Sequence, residues 1–208
     1  MTERPLTGRR VLFLGAEGPH GRRIAVALGE AGASVELASL SCGTKAEFTL
    51  HSIANEFWAF GGSAEVRVAD LLDTGTMAAL ADASQADTVV THVLHGPGAE
   101  DPRTAVLQVD TFLWRLAERK PGLVVVQVIG GDPDVAGYSV AAEELVERTR
   151  RLSEQGRAAA SVVILDGGMP SVLRPLMPQE RFDVPDPGDA VVSAAARKLD
   201  GLALYVDL

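Results

Sequence analysis

One stretch constrains this chain more than any other: Arg10-Val-Leu-Phe-Leu-Gly15-Ala-Glu-Gly18-Pro-His-Gly21-Arg-Arg-Ile24. Val11 to Leu14 form a short apolar run, the pattern of a strand buried on both faces of a parallel sheet. Gly15, Gly18 and Gly21 follow at three-residue spacing. Ile24, Ala25, Leu28 and Ala31 then recur with helical period, and Gly32 closes the helix. Glycines let such a turn close tightly and let backbone approach a ligand. The free N–H groups and the positive end of the helix dipole favour anionic oxygens. The stretch therefore predicts a cradle for a pyrophosphate.

The rest of the chain repeats this alternation. Apolar and β-branched runs predict further strands over 34–38, 64–69, 88–94, 122–129, 161–165 and 202–206. Helical periodicity predicts helices over 45–60, 74–83, 103–120, 138–155 and 189–199. Strands alternating with helices give a single α/β domain over 1–208, a Rossmann-like, doubly wound parallel sheet of about seven strands with helices on both faces. The segment 171–189 is proline-rich and predicted irregular. A formal net charge of −9 disfavours nucleic acid, whose phosphates need a basic face. No apolar run approaches the roughly 18 residues that span a bilayer, so no membrane segment is expected. A single cysteine, Cys42, excludes an internal disulfide and a cysteine-based zinc site. The expected location is the cytoplasm.

With Val11–Gly21 and the following Arg22-Arg-Ile-Ala, Gly61-Gly62 before the third strand, Val68-Ala-Asp70-Leu71 and Asp87-Thr-Val-Val90, the chain resembles the short-chain dehydrogenases/reductases. Leu123-Val-Val-Val-Gln-Val128, Tyr138-Ser-Val-Ala-Ala142 and the closing Gly201-Leu-Ala-Leu-Tyr-Val-Asp207 extend the resemblance over nearly the whole length. It implies the strand order 3-2-1-4-5-6-7 and NAD or NADP bound over the C-terminal strand edges. It also implies homo-oligomers, or hetero-oligomers with a related subunit, packed through the helices at 103–120 and 138–155. Gly15, Gly18, His20, Gly21, Ser39, Asp70 and Leu71 are the implied cofactor-binding positions.

The departures from that family are specific. Pro19 stands where the middle glycine of the fingerprint is expected, removing an N–H and adding a ring where a phosphate would approach. Ser39 replaces the acidic residue that NAD-preferring members place against the ribose, and Lys45 nearby leans toward NADP. Tyr138 aligns with the catalytic tyrosine, but the lysine four residues on is Ala142, the serine position is nearest Gly130, and the asparagine position is Asp110. A phenol with an ordinary pKa near 10 exchanges protons at neutrality only when a neighbouring cation stabilises the phenolate. Ala142 supplies none. Tyr138 reads equally as a catalyst and as an aromatic packed at a helix start. The first reading is thus a non-catalytic or weakly catalytic subunit on a dehydrogenase scaffold. A second is an oxidoreductase using Tyr138, with Asp110 and His92 as further candidates. A third is a non-redox lyase, isomerase or cyclase built on His92 or His95, which with His20 flank the expected crevice. The spacing matches no metal motif.

Overall fold

A computed structural model describes residues 4–94, 101–131, 134–165, 186–197 and 203–206. The elements run β1 Arg10–Leu14, α1 Gly21–Glu30, β2 Ser34–Ala38, α2 Thr44–Glu56, β3 Ala64–Arg67, α3 Thr74–Ala83, β4 Thr88–His92, α4 Pro102–Arg119, β5 Leu123–Ile129, α5 Tyr138–Glu154, β6 Ala158–Leu165, α6 Pro187–Arg197 and β7 Ala203–Val206. The strands lie in the order β3-β2-β1-β4-β5-β6-β7, and each neighbouring pair is parallel. The body of the sheet is β1 to β6. The short edge strand β7 pairs with the end of β6, Val162 opposite Ala203 through Leu165 opposite Val206.

The period of two along β1 sorts its side chains to opposite faces. Val11 and Phe13 join Ile24, Leu28, Leu50 and Val191, so α1, α2 and α6 cover that face. Leu12 and Leu14 join Met77, Val109, Leu113 and Leu145, so α3, α4 and α5 cover the other. Burial on both faces suits the β-branched and apolar residues that dominate β4 and β5, every residue of which is buried. Chain reversal between β1 and β4 puts the topological switch point at their C-terminal ends.

Several boundaries differ from the sequence reading, each for a local reason. The helix expected over 45–60 ends as an α-helix at Glu56 and tightens into a 3₁₀ turn, Phe57–Phe60, before Gly61 takes a left-handed conformation with φ +71°. Phe57 is buried at that turn, while Phe48 in α2 and Trp58 in the turn face outward, at 75% and 84% exposure. Strand β6 begins three residues early, at Ala158, because Ala158 to Ala160 continue the ladder against Leu123 to Val125 despite the weak strand preference of alanine. The turn at 96–98, with His95 before it, lies outside the described residues, as do 166–185 and with them nearly all of the segment 171–189.

Close approach, not ligand alone, fixes Gly21. A Cβ on Gly21 would lie 2.0 Å from the backbone oxygen of Ala16, a contact that no side-chain motion relieves. Gly21→Ala is expected to destabilise the fold by about 3 kcal/mol or more, as overpacking against backbone does. Thermal or urea unfolding measures it, and a change below about 1 kcal/mol would show that the turn can open.

Candidate functional site

The loop from Gly15 to His20 crosses the C-terminal end of β1 and delivers the chain into α1. Gly15 holds φ +84°, a conformation that suits glycine, and its N–H donates to Ala38 O at 2.9 Å, tying the loop to the end of β2. Gly18 N donates to Gly15 O, and Gly21 N to Gly18 O, which curls the loop into two successive turns. Pro19 lies on its exposed outer side. His20 caps α1 by position, yet its side chain makes no capping bond, and no acidic residue stands in the first turn. The first-turn N–H groups of α1 therefore keep the polarity that suits an anion.

The structure brings together His20 and His92, whose ring centroids lie 6.2 Å apart at the switch point. Burial, reinforced by the Arg23 charge, holds His20 below the ordinary imidazole value. His92 is fully enclosed, with Nε2 3.2 Å from Gly130 O. A carbonyl only accepts, so Nε2 carries the proton and the ring braces the ends of β4 and β5. A Cβ on Gly130 would sit 3.2 Å from that same Nε2. The imidazole thus packs against the place where a side chain at position 130 would begin. His95 lies outside the described residues.

Tyr138 opens α5 after Gly137, which holds φ +82°. It is 2% exposed and packs in the apolar cluster with Leu94, Ala141 and Ala142. Gly131 closes over it: a Cβ there would meet Leu94 O at 2.1 Å and the Tyr138 ring at 3.0 Å. Asp110 does not reach this ring. Its carboxylate accepts from Arg148 at 2.5 Å, and Arg148 lies ten positions further along α5, about 15 Å down the helix. The same guanidinium holds Glu144, whose carboxyl is pushed below the ordinary range by its bonds to Arg148 and Arg103. Asp110 belongs to the seam between α4 and α5.

The expected ribose and adenine positions are arranged differently from the sequence reading. Ser39 is 0% exposed: its hydroxyl donates to Ala69 O and accepts from Ala69 N, both at 3.0 Å. It clasps the ends of β2 and β3 and presents nothing to a ligand. Asp70 organises its own loop, accepting from Leu72 N at 3.0 Å and from the Cys42 thiol at 2.9 Å. That contact pushes the thiol pKa up. Leu71 is buried and donates its N–H to Leu40 O. The residue that sequence reasoning missed is Glu17, in the middle of the glycine loop. Its Oε1 accepts from Leu40 N at 2.7 Å, while Oε2 is enclosed with no hydrogen-bond partner among the described residues. Burial raises its carboxyl pKa despite the backbone bonds that favour the charge. The signal available in the sequence was an acid inside an otherwise small and apolar glycine run. Among the described residues no group of three or more His, Cys, Asp or Glu is placed to hold a metal. No helix there is long and apolar enough to cross a membrane.

No family model matches this sequence, and no curated protein matches it. Solved structures match it over nearly its full length. The hydroxysteroid dehydrogenase from Escherichia coli superposes with a TM-score of 0.72 at 17% identity, covering 97% of this chain and 96% of that one. The RhlG/NADP active-site complex from Pseudomonas aeruginosa gives 0.72 at 19%, covering 99% and 98%. A short-chain type dehydrogenase/reductase from Mycobacterium marinum gives 0.70 at 16%, covering 97% and 94%. The chain has the short-chain dehydrogenase/reductase fold.

The raised carboxyl of Glu17 has a stability consequence. An acid whose folded pKa is raised stabilises below its unfolded value and loses that contribution as pH rises through the folded one. Ionising Glu17 above the ordinary value of 4.5 therefore costs stability. Glu17→Gln is expected to gain stability relative to the parent as pH goes from 4 to 7, about 1 kcal/mol or less in a partly solvated site. Paired melting curves at the two pH values measure it; a constant difference would refute the burial cost.

Proposed function

We propose that this chain binds a nicotinamide dinucleotide across the β1–β4 crevice and is an NAD(P)-dependent oxidoreductase of the short-chain dehydrogenase/reductase superfamily. The observation that carries this reading is the glycine loop: Gly15 in its left-handed turn, Gly21 pressed on Ala16 and an uncapped α1 N-terminus, all at the switch point. Full-length superposition on dehydrogenases, one of them complexed with NADP, supports it. The bound nicotinamide would accept or donate a hydride. Gly15, Gly18, His20 and Gly21 would hold the pyrophosphate, with Asp70 and Leu71 at the adenine edge. The domain would span 1–208, with 171–189 as a shortened lid, and would work in the cytoplasm.

One observation favours a second reading, in which the chain serves as a subunit without turnover of its own. Tyr138 is sealed beside Ala142, with no lysine four residues on to stabilise a phenolate. Such a subunit would pair with itself or with a related dehydrogenase through the layer of α4 and α5, the helices at 103–120 and 138–155. Leu107 and Val140 leave apolar surface there.

Titration with NADH and NADPH, followed by cofactor fluorescence and thermal shift, tests the first reading. Micromolar binding is expected, and silence toward both would overturn it. Tyr138→Phe separates the readings. An oxidoreductase relying on Tyr138 loses turnover about 10²-fold or more while still binding dinucleotide. A subunit binds dinucleotide, shows no turnover before or after the change, and elutes as an oligomer; a persistent monomer without turnover would count against it.

A further inference from the structure

We infer that the His20 imidazole takes up a proton from solvent as a pyrophosphate seats on the first turn of α1, so that the site holds its ligand more tightly toward acid pH. The inference rests on the dinucleotide-binding reading above and adds a regulation to it. A side chain in the place of His20 ordinarily folds back onto the first N–H groups of the helix. His20 makes no such bond, and its ring lies instead beside His92 at the end of β4, with centroids 6.2 Å apart. A titratable ring thus stands at the junction where α1 opens onto the crevice. It is half-buried, whereas His92 and Tyr138 beside the same crevice are enclosed, so solvent and an incoming ligand both reach it.

The groups around the ring set its charge. Burial first, and the Arg23 charge second, disfavour the imidazolium in the empty site. Arg23 is held by Asp186, just ahead of α6, at 2.6 Å, and Arg22 is turned to Glu56 of α2 at 2.8 Å. From β4 the facing group is His92, whose Nε2 lies 3.2 Å from Gly130 O. The glycine loop carries Glu17, but its carboxyl is tied to Leu40 N, past the end of β2, on the opposite flank of β1 from His92. A pyrophosphate on the first turn of α1 brings two negative charges to the β4 flank, and a nearby anion favours the charged imidazole. The bound state then carries more protons than the empty one. Binding is therefore strongest at acid pH, where the ring is charged in both states. It weakens as pH rises from the empty-site value, which lies below the ordinary 6.5, through the raised bound-site value.

The experiment is calorimetric titration of the purified full chain with NAD and with ADP-ribose at pH 6 and pH 8. Their pyrophosphates stay fully ionised over this range, whereas the 2′-phosphate of NADP titrates within it. Both probes are expected to bind at least about threefold more tightly at pH 6. Repeating the titration at pH 7 in buffers of different ionisation heat is expected to show net proton uptake. Adenosine, which lacks the pyrophosphate, is expected to show neither effect. His20→Asn, which cannot take up the proton, is expected to bind equally at both pH values, near the weaker parent value. His20→Arg, which carries a fixed charge, is expected to bind equally at both, near the tighter one. A melting curve on each variant checks its fold. Parent binding that does not change with pH overturns the inference while leaving dinucleotide binding intact. A pH dependence that survives in both variants, or that adenosine shows equally, does the same. If the parent binds neither NAD nor ADP-ribose, and NADH and NADPH are silent as well, the proposed function falls and the inference falls with it.

Discussion

Everything at the C-terminal edge of the sheet depends on how closely α1 sits against the end of β1. The backbone of Gly21 lies so near Ala16 that a methyl group has no room. That contact sets where α1 begins and how its first turn faces the crevice. It also sets the path of the loop between them. Because the path is tight, Gly15 N reaches Ala38 O and Glu17 reaches Leu40 N, and the loop becomes a strap across β1 and β2. The His20 ring then falls beside His92 on the other flank. A looser junction would dissolve all three relations together.

The framework was legible in the sequence because it follows from period and punctuation. A strand buried on both faces reads as a continuous apolar run, as Val11 to Leu14 of β1 and Leu123 to Val126 of β5 do. Helices with one apolar stripe reveal themselves by spacing, and α4 and α5 fell close to their expected limits. The ends were less legible. Strand β6 extends through three alanines because a neighbouring ladder recruits them, and that is information held by β5. Phe48 shows the same limit: its spacing is helical, but the tertiary packing that decides which side of α2 is covered is absent from the local pattern.

The site was legible in position and much less so in role. Gly15, Gly21, His20 and His92 converge where the strand order reverses. Ser39 and Asp110 were placed by alignment with a family pattern, and both are occupied elsewhere, one by Ala69 and one by Arg148. Their engagements depend on partners 30 and 38 residues away, which no window of sequence reveals. Glu17 escaped notice because a glycine run draws attention to what its residues lack. The chemistry of Tyr138 is likewise a matter of surroundings. Its ring packs with Leu94, Ala141 and Ala142, neighbours that only the folded chain gathers.

The Ser39 clasp limits how this crevice could be redesigned. The customary way to retune a dinucleotide fold is to exchange the residue at the tip of the second strand. Here that residue is a two-handed latch, giving one hydrogen bond and receiving another across to the third strand. An aspartate in its place could receive but not give, and would strand a charge where no water enters. An arginine would find no exit for its side chain. Variation at this edge is thereby shifted off the sheet and onto the loop above it, where a single side chain can change without unpicking the strands.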